Sequence, residues 1–276
     1  MNARCKLGIG WRPELALAIE RRQDIEFVEV VAENCSVDSP PEPLMALKRR
    51  GVSVIPHGIS LALGGAQLPN LTRLRRLNKL CSLFESQFVS EHIAFVRGSK
   101  LESGHLLPVP RTESAVKVLV ENILFAKRHL SVPLVLENIA YLCEWHNSEM
   151  SEAEFITRIL EETDSLMLLD VANLLANSIN HRFDAIAYLS NIPLDRVAYV
   201  HVAGGIKKGG MYHDTHAHPV SHQVYDLLQK LCRMHTPPMV MLERDDRFPG
   251  EAVLNQELDD IRKAVTVHEP LGAAVK

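Results

Sequence analysis

Short apolar or β-branched runs alternate along the chain with longer segments whose apolar residues recur three and four positions apart. The runs are CKLGIG (5–10), EFVEVV (26–31), VSVIPH (52–57), QFVSEH (87–92), PLVLEN (133–138), LMLLD (166–170), VAYVHV (197–202) and PMVMLE (238–243). Between them lie PELALAIERRQ, PLMALKRR, NLTRLRRLNKLCSLFES, TESAVKVLVENILFAKRH, SEAEFITRILEE, FDAIAYLS and SHQVYDLLQKLCRMH. Each of these fits one apolar face of a helix. Ser151 and Glu154 form an S-x-x-E capping box at one helix start, and a final helix is expected over roughly 252–265. Strand followed by helix, eight times, predicts an α/β fold: a single (β/α)8 TIM barrel with a parallel sheet. With no break in composition, residues 1–265 read as one catalytic domain, and 266–276 as a C-terminal tail too small to fold alone.

Composition narrows the class. The 276 residues are close to the size of one such barrel, and 46% of them are hydrophobic, enough for a large core. With 34 acidic against 30 basic residues, and no Lys/Arg block, nucleic acid is not an expected partner. The five cysteines are scattered without a C-x-x-C pair, which suits a reduced, cytoplasmic protein. The opening MNARCKLGIGWRPELALAIERR has neither a signal-peptide core nor a membrane span. Thirteen histidines are the unusual total.

In a parallel barrel the C-terminal strand ends converge on one mouth, where barrel enzymes place their chemistry. Those ends read His57, His92, Glu137, Asp170, His201 and Glu243. Asn173 lies just past strand six, and the loop after strand seven, YHDTHAHP, adds Asp214 and His216. A lone histidine at a strand end is usually just hydrogen-bonded, and ordinary barrels bury a few paired carboxylates. Six such groups at one mouth are different, because unpaired carboxylates in a desolvated cavity repel each other unless a cation joins them. Nine nitrogen and oxygen candidates exceed the four to six ligands of one ion and predict two or three ions, with Glu137 able to bridge. Imidazole and carboxylate without thiolate suit Fe, Mn, Zn or Co, and spacing does not choose among them. His213 and His218 read as supports of the ligands or surface residues, and His222 as surface. Asp245 either orients a ligand histidine or faces water. Arg12, after strand one, is a candidate partner for a substrate carboxylate, with a surface ion pair as the plain alternative. Asn34 is a candidate for substrate or ligand support, and Asn138 for ligand support. The segments 97–111 and 203–219 read as long loops at the mouth, expected to shape or cover the substrate site.

The motifs GIGWRPEL, HGISLALGG, SEHIAF, LENIA, LLDVANLLANSINH, AYVHVAGG, DTHAHPV and MLERDD occur in this order between about residues 7 and 250. Together they resemble the multinuclear non-haem iron-dependent oxidative enzymes, the family of the methanobactin-biosynthesis oxidase and the thiaglutamate-pathway enzyme. The resemblance implies a xylose-isomerase-like barrel holding two or three irons of mixed Fe(II)/Fe(III) state. It implies oxidation by dioxygen of a residue, most often cysteine, in a ribosomally made precursor peptide of natural-product biosynthesis. Carried over by position, the metal ligands are His57, His92, Glu137, Asp170, Asn173, His201, Asp214, His216 and Glu243, with Glu137, Asp170 and Asp214 as the expected catalytic residues. Ala172 departs from the asparagine of many relatives. A small partner protein that grips the peptide leader is also implied. The rivals are a divalent-metal sugar isomerase or epimerase on the same barrel, a zinc-dependent endonuclease, and a non-catalytic peptide scaffold. The ligand count weighs against the first, the absence of a basic stripe against the second, and the cost of idle buried charges against the third.

Overall fold

The computed structural model describes residues 4–98 and 101–266. Eight parallel strands run β1 (Lys6–Gly10), β2 (Phe27–Val31), β3 (Ser53–Gly58), β4 (Val89–His92), β5 (Leu134–Glu137), β6 (Leu166–Asp170), β7 (Val197–Val202) and β8 (Met239–Leu242). Each pairs with the next, and β8 pairs back onto β1, so the sheet is a closed barrel. The outer layer is α1 (Ala16–Arg21), α2 (Glu42–Arg49), α3 (Leu71–Phe84), α4 (Glu113–His129), α5 (Glu152–Thr163), α6 (Val171–His181), α7 (Ala185–Ser190), α8 (His222–Met234) and α9 (Glu251–Thr266). The expected tail lies, from residue 267, outside the described residues.

Side chains alternate between the two faces of a strand, and this decides what fills the barrel. Phe27, Ile55, Val135, Leu168, Tyr199 and Met241 form one apolar cluster inside it. Two residues further along the same strands, or just past their ends, that inner face turns polar: Glu29, His57, Glu137, Asp170, His201 and Glu243, all buried. On β1 the inward position is Gly8, where an added Cβ would sit 2.5 Å from the Phe27 ring. The larger apolar cluster lies outside the sheet, between strands and helices.

Six of the helices, α3 to α8, begin on polar caps that accept backbone N–H bonds: Asn70, Thr112, Ser151, Asp170, Asp184 and Ser221. After β8, the buried Arg244 pairs with Glu257 of α9 at 2.9 Å, and Glu257 also accepts Val220 N–H at 2.9 Å, which ties the last helix to the barrel. Two features differ from the sequence pattern. Both mouth segments are largely antiparallel hairpins, Phe95–Gly98 with Leu101–Leu107 and Gly205–Lys208 with Met211–Asp214. The second turns at Gly209 and Gly210, both at positive φ, and docks on α6 through reciprocal bonds between Asn180 and the Tyr212 backbone at 2.7 and 2.8 Å. The helix α6 is also unexpected and starts directly at the end of β6.

Candidate metal centre

Strand register brings the polar ring together. His92 on β4 is level with Glu137 on β5, and Asp170 on β6 with His201 on β7. Glu137 stands between imidazoles: its Oε2 is 3.5 Å from His57 Nε2 and 3.2 Å from His92 Nε2, while its Oε1 is 3.4 Å from His201 Nδ1. His201 Nδ1 also lies 3.0 Å from Glu243 Oε2 and 3.8 Å from Asp170 Oδ2. From the loop after β7, His216 places Nδ1 at 3.3 Å from Glu243 Oε2 and Nε2 at 2.5 Å from Asp214 Oδ2. Four trios of ligand atoms fall within 4.8 Å of one another: His57–His92–Glu137, Glu137–Asp170–His201, Asp170–His216–Glu243 and Glu29–His201–Glu243.

The electrostatics are those of a cation site. Burial alone would push these groups toward neutrality; at His92 and Glu243 the neighbours outweigh it, and at Asp170 a neighbouring carboxylate adds to it. Burial lowers His92, yet Glu137 and Glu91 outweigh it and raise the imidazole to about 9. Burial and then the Asp214 charge raise the Asp170 carboxyl well above the carboxylate range. Burial raises Glu243, but His216 and His201 hold it well below that range. Five buried atoms of the ring have no hydrogen-bond partner: Glu137 Oε2, Asp170 Oδ2, His201 Nδ1, Asp214 Oδ1 and His216 Nε2. Orphaned buried polar atoms are costly, and these five are all of metal-ligating type and share one ring. The donor set fits metal ions.

Other groups hold the side chains of the ring in place. Asp170 spends Oδ1 as the cap of α6, accepting Asn173 N–H at 2.7 Å, which leaves Oδ2 for the cavity. Asn138 clamps the Asp170 backbone on both sides, at 2.9 and 3.0 Å, and its carbonyl accepts from Asn173 Nδ2 at 3.0 Å. The Asn173 amide nitrogen is thus committed to Asn138, and its oxygen is the atom left to face a cation. Glu91 faces away from the barrel axis and accepts N–H bonds from Ser60, Leu61 and His92 at 2.9 to 3.1 Å, fixing the loop after β3. Asp245 grips His216 twice over: its carboxylate accepts from His216 Nδ1 at 3.2 Å, and its own N–H donates to the His216 carbonyl at 2.9 Å. That grip holds His216 at a left-handed φ of 50°, a conformation with a cost of roughly 1–3 kcal/mol that recurs at functional sites.

The remaining sequence candidates divide. Arg12 lines the cavity, but its Nη2 is already 2.5 Å from Asp245 Oδ1 and 3.6 Å from Glu243 Oε1. Asn34 stands exposed on the cavity wall. His218 bonds Thr215 Oγ1 at 2.7 Å, His213 reaches the Lys208 carbonyl at 3.3 Å, and His222 is exposed at the start of α8. Ala172 packs in the outer apolar core, away from the ring. Glu29, Ser90, Glu91 and Tyr199 are additions that a reading of last strand residues passes over. Three of them were visible as polar or hydroxyl side chains at inward positions of a strand.

A cavity of about 960 Å³ opens above the ring, walled in part by Glu102, Ser103 and His105 of the first hairpin and by Asp214 to His216. Among solved structures the fold is similar to the 3-keto-D-glucoside 4-epimerase YcjR of E. coli (TM-score 0.58, 15% identity, 95% of this chain and 100% of that one). It is also similar to the IOLI protein with a binding zinc atom (TM-score 0.56, 15% identity, 94% and 96%). At that identity the likeness is one of fold: a xylose-isomerase-like TIM barrel. In sequence the chain is 48% identical to a UPF0276 protein of Streptomyces avermitilis over 94% of its own length and 54% of that protein. It is 35% identical to a UPF0276 protein of Caulobacter vibrioides over 92% of each. The chain thus spans about half the length of the Streptomyces relative and nearly all of the Caulobacter one. Residues 6–266 match the model of the RiPP precursor modification enzyme MbnB/TglH/ChrH. Ring, barrel and sequence match together place the chain in the MbnB/TglH/ChrH family of enzymes that modify RiPP precursor peptides.

Proposed function

We propose that the protein is a non-haem iron oxidase that holds two or three irons and uses dioxygen to modify a residue, most often cysteine, of a ribosomally made precursor peptide. The observation that carries this reading is the ring of nine nitrogen and oxygen candidates, more than the four to six ligands of one ion; five of the nine leave a buried atom without a hydrogen-bond partner. Its ligands are His57, His92, Glu137, Asp170, Asn173, His201, Asp214, His216 and Glu243, held by the catalytic barrel of residues 1–265. When bound, the irons supply one-electron redox chemistry and lower the pKa of a coordinated substrate thiol.

The chain's own part is positioning. Glu137 offers one oxygen to each side of the ring, so it would help hold an ion on either side. Asp214 and Glu137 line the cavity, Asp170 is buried beside His201, and the three make up the expected catalytic set. The hairpin wall excludes water and leaves room for a peptide side chain with its neighbours. At the rim, Arg12 and Asn34 are placed to meet the peptide, Arg12 only by sharing itself with Asp245. Leader recognition belongs to a small partner protein, and the longer Streptomyces relative has room for such a module on one chain. Among the described residues no helix is long and apolar enough to cross a membrane, in keeping with work on a newly made peptide in the cytoplasm.

Anaerobic purification with elemental analysis, then oxygen uptake with the precursor peptide, tests the reading. Two or three irons per chain and peptide-dependent oxygen consumption are expected. One zinc, no iron and no oxygen consumption would overturn it in favour of a sugar epimerase, which the fold neighbours suggest.

A further inference from the structure

Beneath the ring lies a line of buried side chains that the proposed chemistry does not use. Glu29, on the inner face of β2, is 1% exposed. Its Oε2 is 2.7 Å from Tyr199 Oη and 3.0 Å from His201 Nε2. Tyr199 Oη lies 2.6 Å from Ser90 Oγ, which lies 2.8 Å from His57 Nδ1. The line His57–Ser90–Tyr199–Glu29–His201 therefore runs unbroken under the ring, from one metal-facing imidazole to another.

Its direction follows from the donors. A carboxylate only accepts, so Tyr199 donates to Glu29 and His201 carries its proton on Nε2. Tyr199 has then spent its one proton, and Ser90 must donate to it. Ser90 in turn accepts from His57, which carries its proton on Nδ1. Each assignment forces the next. The nitrogens left bare are His201 Nδ1 and His57 Nε2, the two that face Glu137 at 3.4 and 3.5 Å. A neutral ring binds metal through the nitrogen opposite its hydrogen bond.

Glu29 also falls in a trio with His201 and Glu243, which raises the alternative that it is itself a ligand. Two observations decide against that. Its Oε2 already accepts two hydrogen bonds, and the His201 nitrogen it touches is opposite the one facing Glu137 and Glu243. An ion at Glu29 would need His201 to bind metal through both nitrogens.

We propose that Glu29 is a positioning residue that sets the tautomers of two metal-facing histidines, His201 directly and His57 through Tyr199 and Ser90. The idea rests on the metal reading above, though not on iron or on dioxygen. Its test therefore uses zinc alone, with ¹⁵N-histidine NMR of the loaded full-length protein and competition titration of zinc affinity. In the parent, zinc is expected on His201 Nδ1 and His57 Nε2. Glu29→Gln should weaken zinc binding by about 10- to 100-fold, the usual range for a group that orients a ligand, and disturb both rings. Tyr199→Phe should leave the His201 signature intact and disturb His57 alone. This second variant carries the test if Glu29→Gln fails to fold. Two results overturn the proposal: parent-like affinity and ring signatures in both variants, or loss of a whole zinc equivalent in Glu29→Gln with both ring signatures unchanged, which makes Glu29 a ligand. A protein shown to use zinc and no oxygen would end the oxidase reading and leave this result standing.

Discussion

At Glu137 the two carboxylate oxygens face different histidines, Oε2 toward His57 and His92 and Oε1 toward His201. Glu137→Ala removes the ligand that both sides share and takes no apolar group out of the floor beneath. The expected outcome is loss of more than one ion per chain with an unchanged circular-dichroism spectrum, checked by elemental analysis; full metal retention would show that the ring does not depend on it. Most of the ring was legible because its members end strands or follow them closely. Glu29 was not, because Val30 and Val31 follow it and end the run on apolar residues. Counting inward positions by twos from Phe27 reaches it, and the same step leads from Phe88 to Ser90. Asp245 carries the reverse lesson: its place against His216 depends on a left-handed turn that no local pattern announces.

Among the elements, the loop after β7 is the most tightly constrained. A Cβ on Gly204 would lie 1.9 Å from the His218 carbonyl oxygen and 2.5 Å from that of Pro219, both backbone atoms that cannot swing aside. Gly204→Ala is therefore expected to displace the segment carrying Asp214 and His216 and to cost about 1–3 kcal/mol, the range for overpacking. Thermal melting reads the loss, and metal analysis should show the Asp214–His216 side emptied before the His57–His92 side. Loss of neither stability nor metal would mean the loop relaxes freely. The strands were readable to within two residues at most of their ends, since their apolar runs are bounded by polar or turn residues. Helix α6 was not, because Val171, Ala172, Leu174, Leu175 and Ala176 are all buried and leave no polar stripe to betray the period. The hairpin strand Leu101–Leu107 is mostly exposed and shows no alternation, so it reads as loop.

For the molecule as a whole, barrel and family were legible because eight strand signals and eight ordered motifs agree over most of the chain. A balance of charges away from the mouth sets its response to pH. Burial raises Glu152, at the start of α5, from the ordinary 4.5 to about 7, although Tyr141 donates to it at 2.8 Å. A carboxyl raised on folding stabilises the fold fully below its unfolded pKa, and that contribution is lost as pH rises through the folded value. The melting temperature of Glu152→Gln relative to the parent should thus climb between pH 5 and pH 8; a flat difference would show that the glutamate is ionised throughout. The metal ring imposes a second dependence. Like charges sharing one desolvated cavity are least stable when nothing joins them, and an ion that binds only the folded state adds about 2.7 kcal/mol when its free concentration is a hundredfold above Kd. Cellular proteases act on the small unfolded fraction, so a difference of that size changes abundance several-fold. The lifetime of the chain in the cell is then expected to follow the metal supply: starved cells should clear the empty barrel, and replete cells should keep the loaded one.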